Sequence, residues 1–139
     1  MTATGSRKLA IEYLRCLERN DFDGALSLTT PDAMFRLSGP GDMNRAQVRA
    51  FFEPVGKMIE HMSFTIVGCT VEGERVALEA RGEGTLTNGR IYRNRYHFLF
   101  IVRGGKISSV REYADSAPAQ VTDNGRGARS RIVDVAVFN

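Results

Sequence analysis

Few residues in this 139-residue chain combine a reactive side chain with surroundings that would activate it, and Glu112 is the foremost. Strand alternation puts Val110 and Ala114 on the same face as Glu112, so its carboxyl points among apolar groups. A carboxyl so placed holds its proton more tightly than in water, which suits a general acid or base near neutrality. The same glutamate could instead pair with Arg81, Arg95 or Arg111 across a sheet, and both readings stand at this level. His97 titrates in the useful range and could polarise a carbonyl or carry a proton. Leu99 and Ile101 share its face, which fits a pocket wall and a packed core alike. Tyr13 could donate its hydroxyl to an oxyanion, or anchor the first helix as a buried aromatic.

Other chemistries find no support. The histidines His61 and His97 and the cysteines Cys16 and Cys69 are dispersed, with no ligand spacing for a metal. Gly39-Pro40-Gly41 lacks the lysine and the strand-to-helix setting of a phosphate loop. Cys16 and Cys69 lie in apolar-patterned segments and read as reduced core thiols, and His61 reads as a surface residue at a helix end. No cofactor is expected.

The elements that must position these groups follow from periodicity. From Arg7 to Arg19, Leu9, Ala10, Tyr13, Leu14 and Leu17 recur at intervals of three and four, predicting an amphipathic helix that Asn20 and Asp21 end. A short helix over Phe22 to Leu28 runs into Pro31, and Ala33 to Leu37 fits a short strand. Asn44 is a natural cap for a third helix through Ala46, Val48, Phe51 and Phe52, with Pro54 and Gly56 set to kink or divide it. From Ser63 onward β-branched and aromatic residues alternate between turn signals, of which Asn88-Gly89 is the strongest. The resulting antiparallel meander covers Phe64 to Glu72, Arg75 to Thr87, Arg90 to Arg103 and Lys106 to Ala114. Gly82 and Gly84, inside the second strand, are expected to mark a bulge or bend.

Along Tyr96 to Val102 both faces of the strand are largely apolar, whereas an antiparallel sheet with one wet face alternates. Each face therefore needs a cover: helices and pocket on one side, and most economically a second subunit on the other. After Ser116 the chain turns polar and glycine-bearing before Ile132 to Phe138, whose pattern fits one more strand. The chain thus divides into a domain at 1–116 and an extension at 117–139.

Charge sets further limits. The formal net charge is +3, but Arg126, Arg129 and Arg131 in the extension supply much of it, without the aromatic interleaving of a nucleic-acid face. No stretch approaches the roughly 20 apolar residues that span a bilayer, and Met1 to Lys8 has no apolar leader, so a cytoplasmic protein is expected.

Three groups of residues carry a resemblance: Glu12-Tyr13-Leu14 before Asn20-Asp21-Phe22-Asp23-Gly24-Ala25, then Tyr92-Arg93-Asn94-Arg95-Tyr96, then Gly105-Lys106-Ile107 leading into Val110-Arg111-Glu112-Tyr113-Ala114-Asp115. Over roughly residues 7 to 116 the chain resembles the SnoaL-like branch of the nuclear transport factor 2-like superfamily. That branch includes polyketide cyclases and is similar to ketosteroid isomerase and limonene epoxide hydrolase. The resemblance implies an α+β fold: a cone-shaped, strongly curved antiparallel sheet wrapped by N-terminal helices around one apolar pocket. It places Tyr13 at the isomerase's oxyanion tyrosine, His97 at its strand acid, and Leu37 at its base. Leucine accepts no proton, so steroid isomerisation by that route is not expected. Glu112 takes the place of the catalytic aspartate of the hydrolase and of the cyclases. The hydrolase's Arg-x-Asp pair is kept only in part, as Arg75-Val76-Ala77.

The expectation is therefore a cofactor-independent acid/base enzyme of isomerase, cyclase or dehydratase type, acting on a small lipophilic, cyclic carbonyl compound. Its catalytic residues would be Glu112, His97 and Tyr13, and its pocket would be lined by Tyr96, Asn94, Leu37, Val110, Leu99 and Phe52. Asn94 and Asp115 would also tie strand ends together. The alternative is a non-catalytic module that holds a hydrophobic ligand or associates through its sheet. A homodimer through the sheet is expected in either case.

Overall fold

A computed structural model describes residues 2–115 and 120–123. Helix α1 (Ala3–Glu18) starts where the Thr2 hydroxyl accepts from Gly5 N at 3.0 Å, and its Ser6, Ala10, Tyr13 and Leu14 form the buried face. Asn20 stops it by taking the left-handed conformation, φ 56°, which asparagine tolerates better than most residues. The next residue, Asp21, caps α2 (Phe22–Ser27) by accepting from Gly24 N at 2.9 Å. Two helix signals on adjacent residues thus make a tight corner.

Strand β1 (Thr29–Leu37) forms a hairpin with the short β2 (Gly41–Met43). Asn44 and Gln47 then make a reciprocal capping box, each bond 2.8 Å, that opens α3 (Arg45–Met58). Helix α3 continues through Pro54 as one element, so of the expected kink or division the division does not occur. The meander follows as β3 (Ile59–Glu72), β4 (Arg75–Leu86), β5 (Arg90–Arg103) and β6 (Lys106–Ala114). These bounds lie close to those read from the alternation, except that β3 starts earlier and takes in His61, which is exposed on a strand and not at a helix end.

The strands run in the order β2-β1-β6-β5-β4-β3, with β7 (Gln120–Asp123) paired to the far end of β5. The sheet is antiparallel apart from the parallel β1–β6 pair, which returns the chain's first strand to its last long one. It is curved and unclosed, and the helices cover its inner face. Of the 117–139 extension only β7 is described, and the expected strand Ile132–Phe138 lies outside the described residues.

The inner face holds the core. Even-numbered residues of β4 and β5 point in, and Phe98 stacks on both Tyr96 (5.4 Å between centroids) and Phe100 (5.9 Å), while Tyr13 of α1 meets Phe100 edge-on. The pairing register runs through Gly82 and Gly84 without a break, so these glycines do not mark the expected bulge in β4. Gly82 instead makes room: a Cβ there would lie 2.6 Å from the Tyr96 ring and 2.9 Å from the Met62 methyl. Cys16 is buried, Cys69 is half-buried, and both are free thiols.

Candidate active site

The register between β5 and β6 decides which side chains meet. At the Gly104-Gly105 turn Arg103 pairs with Lys106 and Val102 with Ile107, but the next pair is Ile101 with Ser109. Ser108 is an extra residue on β6, and its hydroxyl donates to Ile101 O at 3.3 Å. A bulge of this kind moves every later pair by one. Beyond it Phe98 opposes Glu112 and His97 opposes Tyr113. Glu112 therefore stands on the inner face with Val110, and His97 on the outer one.

Inside, Glu112 meets an apolar cavity of ≈ 70 Å³. Leu17 and Asn20 line it from the α1 end, Phe51, Phe52 and Val55 from α3, and Leu37 from β1. Met62, Phe64, Tyr96 and Glu112 form the sheet wall, and Phe22 stacks on Phe52 at 4.9 Å to close the α2 side. This is more than one water needs, so the lining leaves room for a small ligand beside Glu112. The α1 end is tied in place by Glu18, whose Oε2 accepts from Phe64 N at 2.6 Å while Arg15 bridges to Phe64 O at 2.9 Å. These bonds give part of the free edge of β3 side-chain partners, which one cavity wall needs.

Glu112 keeps some accessible surface as a residue, yet its Oε2 is fully enclosed and has no hydrogen-bond partner. The alternative partners Arg81, Arg95 and Arg111 lie on odd-numbered positions of the outer face and make no ion pair with it. Burial without a partner pushes its carboxyl up to about 8, so the group is mostly protonated at neutral pH and exchanges its proton just above it. Tyr96, Tyr92 and Tyr13 are all held above the ordinary phenol value, first by burial; the nearby Glu112 charge adds to each. The polar groups of the interior are thus neutral donors gathered round one titrating acid.

The other expected residues divide by face. Leu37, Phe52 and Tyr96 line the cavity. Tyr13 is fully buried near Glu112 and against Phe100, and is not part of the lining. Val110 is packed in the core between Phe35 and Phe100. Asn94 is buried next to Tyr92, one step from the cavity, donating to the Tyr92 hydroxyl at 2.9 Å. Asp115 does bind a strand end, its N–H donating to Arg95 O at 3.2 Å.

His97 and Leu99 must be corrected. Both point outward: His97 is exposed in an open groove of ≈ 520 Å³ beside Glu79, Arg81, Arg95 and Tyr113, and Leu99 lies half-buried on the same side. The outward face follows from the alternation of β5, whose Tyr96, Phe98 and Phe100 turn inward and leave His97 and Leu99 on the other side. The sequence reading also passed over Asn20 and Phe51 as cavity residues. Asn20 reads from sequence only as a helix stop, and no periodic signal marks which stop faces a cavity. Among the described residues no cluster of His, Cys, Asp and Glu could hold a metal, and no helix is long and apolar enough to cross a membrane.

Comparison with known proteins agrees with this architecture. The structure of AusH from Aspergillus nidulans superposes with a TM-score of 0.74 at 20% identity, covering 84% of this chain and 87% of that one. AclR, a putative hydroxylase from Streptomyces galilaeus, gives 0.75 at 17% identity over 84% and 93%. A putative polyketide cyclase from Xanthomonas campestris pv. campestris gives 0.73 at 23% identity over 81% and 91%. At these identities the likeness is one of fold. No curated protein matches the sequence. The SnoaL-like domain family matches residues 10–110, most of the chain and nearly all the elements that build the cavity, and the protein belongs to that family.

Proposed function

We propose that this protein is a cofactor-independent acid/base enzyme that moves a proton on a small lipophilic carbonyl compound, with Glu112 as the proton-transfer group. The observation that carries this is the enclosed, unpartnered Glu112 Oε2 facing an apolar cavity. In the reaction the Glu112 carboxylate takes a proton from the carbon beside the carbonyl, the carbonyl oxygen carries the resulting charge, and the carboxylic acid returns the proton to another carbon. Atoms and charge balance without any second reactant, which is isomerase chemistry; loss of a hydroxyl at the return step would make it a dehydratase. A putative polyketide cyclase among the fold neighbours supports a carbonyl-bearing substrate. Tyr13, neutral and near Glu112, supports the charge on the oxygen from behind the lining.

The test is proton exchange in heavy water at the carbon beside the carbonyl of a single-ring enone, followed by NMR. The wild type should accelerate it and Glu112→Gln should not. Equal exchange rates in both would remove Glu112 from the chemistry.

A second reading, a non-catalytic holder of small apolar ligands, is favoured by Leu37, which puts an aliphatic group in the lining where the isomerase relative has its base. It predicts ligand binding with no exchange. Under both readings we propose a homodimer through the outer sheet face. There Leu99 and Ile101 are half-buried, and Met34, Val67 and Tyr113 are 46%, 47% and 49% exposed. Light scattering on the eluting protein at micromolar concentration should give twice the chain mass.

A further inference from the structure

Beside the cavity the sheet carries no side chain at two successive inward positions. Gly82 and Gly84 of β4 are both buried on the inner face. In the register of the meander Gly84 lies between Met62 of β3 and Tyr92 of β5, and Gly82 between Phe64 and Asn94. Alternate residues of a strand are about 7 Å apart, so the two glycines leave a bare trough of about that length between taller walls. It stops at Leu86, the next inward residue of β4, which is fully buried.

A protein interior is close-packed, so a trough of this kind has to be filled from one of its walls. Met62 does this. A Cβ on Gly84 would lie 2.9 Å from the Met62 Sδ, and one on Gly82 would lie 2.9 Å from the Met62 Cε. The side chain therefore runs along both glycines, its sulfur over Gly84 and its methyl over Gly82 beside the edge of the Tyr96 ring. Methionine is long, unbranched and fills irregular gaps, whereas the β-branched residues that strands favour have no atoms that reach so far. Met62 also lines the cavity, and neither glycine does. The thioether is thus the partition between the cavity and the trough. On its near side stands the unpartnered Glu112 Oε2, so the space that Met62 bounds is the space that points to a ligand.

We infer that Met62 sets the length of ligand that the cavity accepts, because its thioether occupies a subsite for an apolar chain, floored by Gly82 and Gly84, that continues the cavity. A ketone with its carbonyl at Glu112 turns its far end toward Met62, and the tail it can carry stops there. The orientation of the ligand rests on the reading of Glu112 above, while the length limit is a matter of packing alone.

The experiment measures dissociation constants of the full-length protein for straight-chain 2-alkanones, from 2-butanone to 2-decanone, by calorimetric titration, alongside the proton exchange described above. Each carbon buried among apolar groups tightens binding about fourfold, so wild-type affinity should climb by that step and level off at the chain length that meets Met62. Met62→Ala removes Cγ, Sδ and Cε, so its climb should continue about three carbons further, and the longest ketones should bind it at least about tenfold more tightly than the wild type. Met62→Leu, which nearly conserves volume, should keep the wild-type limit. If Met62→Ala does not fold, Met62→Val takes its place, since valine suits a strand and is shorter, and should move the limit by about one or two carbons. A limit unmoved in the folded truncation, with exchange still dependent on Glu112, would overturn this inference and leave the acid/base reading standing. A limit that moves without Glu112-dependent exchange would support this inference and overturn the catalysis. No binding of any of these ketones by the wild type or the truncation would overturn both.

Discussion

Replacing Glu112 by glutamine should make the protein more stable, by an amount that grows with pH. The native state holds the Glu112 proton up to about pH 8, while the unfolded chain releases it near 4.5. Between those values the native state binds more protons than the unfolded one, so stability falls as pH rises across the window. At about 1.4 kcal/mol per pH unit, full ionisation of the buried carboxyl costs the native state about 5 kcal/mol, and about 3 kcal/mol of that is already felt near pH 7. Glutamine fills nearly the same space and carries no charge at any pH, so Glu112→Gln is free of this cost. The assay is urea unfolding of both proteins at a series of pH values from about 4 to about 9, because the other titrating groups are common to the two and cancel in the difference. Below about pH 4.5 the difference should be small and constant. It should then climb to its full value by about pH 8 and level off. A difference that stays flat throughout would mean that Glu112 is not an unpartnered buried acid, and the proposed chemistry would lose its basis. Stability given up at a working group is a common cost of function.

Three further outcomes follow from the geometry. His97→Ala should leave enone proton exchange within about twofold of the wild type, since the imidazole lies on the outer face; a loss of tenfold or more would place it in the reaction after all. Gly82→Ala should cost about 1–3 kcal/mol in urea unfolding by overpacking against the Tyr96 ring and Met62, whereas Gly68→Ala, with open space round its Cβ position, should cost much less. Glu18→Ala should cost about 1–3 kcal/mol by leaving Phe64 N without its acceptor, with faster amide exchange at Phe64 as its local sign.

Much of the architecture is a local matter and is therefore legible in the chain. Spacings of three and four along α1, the Asn44 cap, the Asn88-Gly89 turn and the alternation of β3 to β6 are all set by neighbours within a few residues, and the structure follows them closely. Glu112 was legible for the same reason: Val110 and Ala114 are its neighbours two positions away on its own strand. The alternation of β5 was legible as well, but not which of its faces turns inward.

That choice belongs to tertiary structure, because it depends on how two strands are set against each other. One residue, Ser108, enters β6 without a partner on β5 and carries no sequence mark that distinguishes it from Ser109. Through it Glu112 comes to lie opposite Phe98 and so on the inner face, while His97 lies opposite Tyr113 on the outer one. The sequence by itself determined the family, the elements and the presence of one carboxyl among apolar residues. Only the folded chain decided that this carboxyl is left without a partner, that three helices and a curved sheet leave it a cavity of ≈ 70 Å³, and that Tyr96 shares the cavity wall with it. The physical reason is that burial and register are sums over contacts distant in sequence, and a single unpaired residue is enough to turn a face from inside to outside.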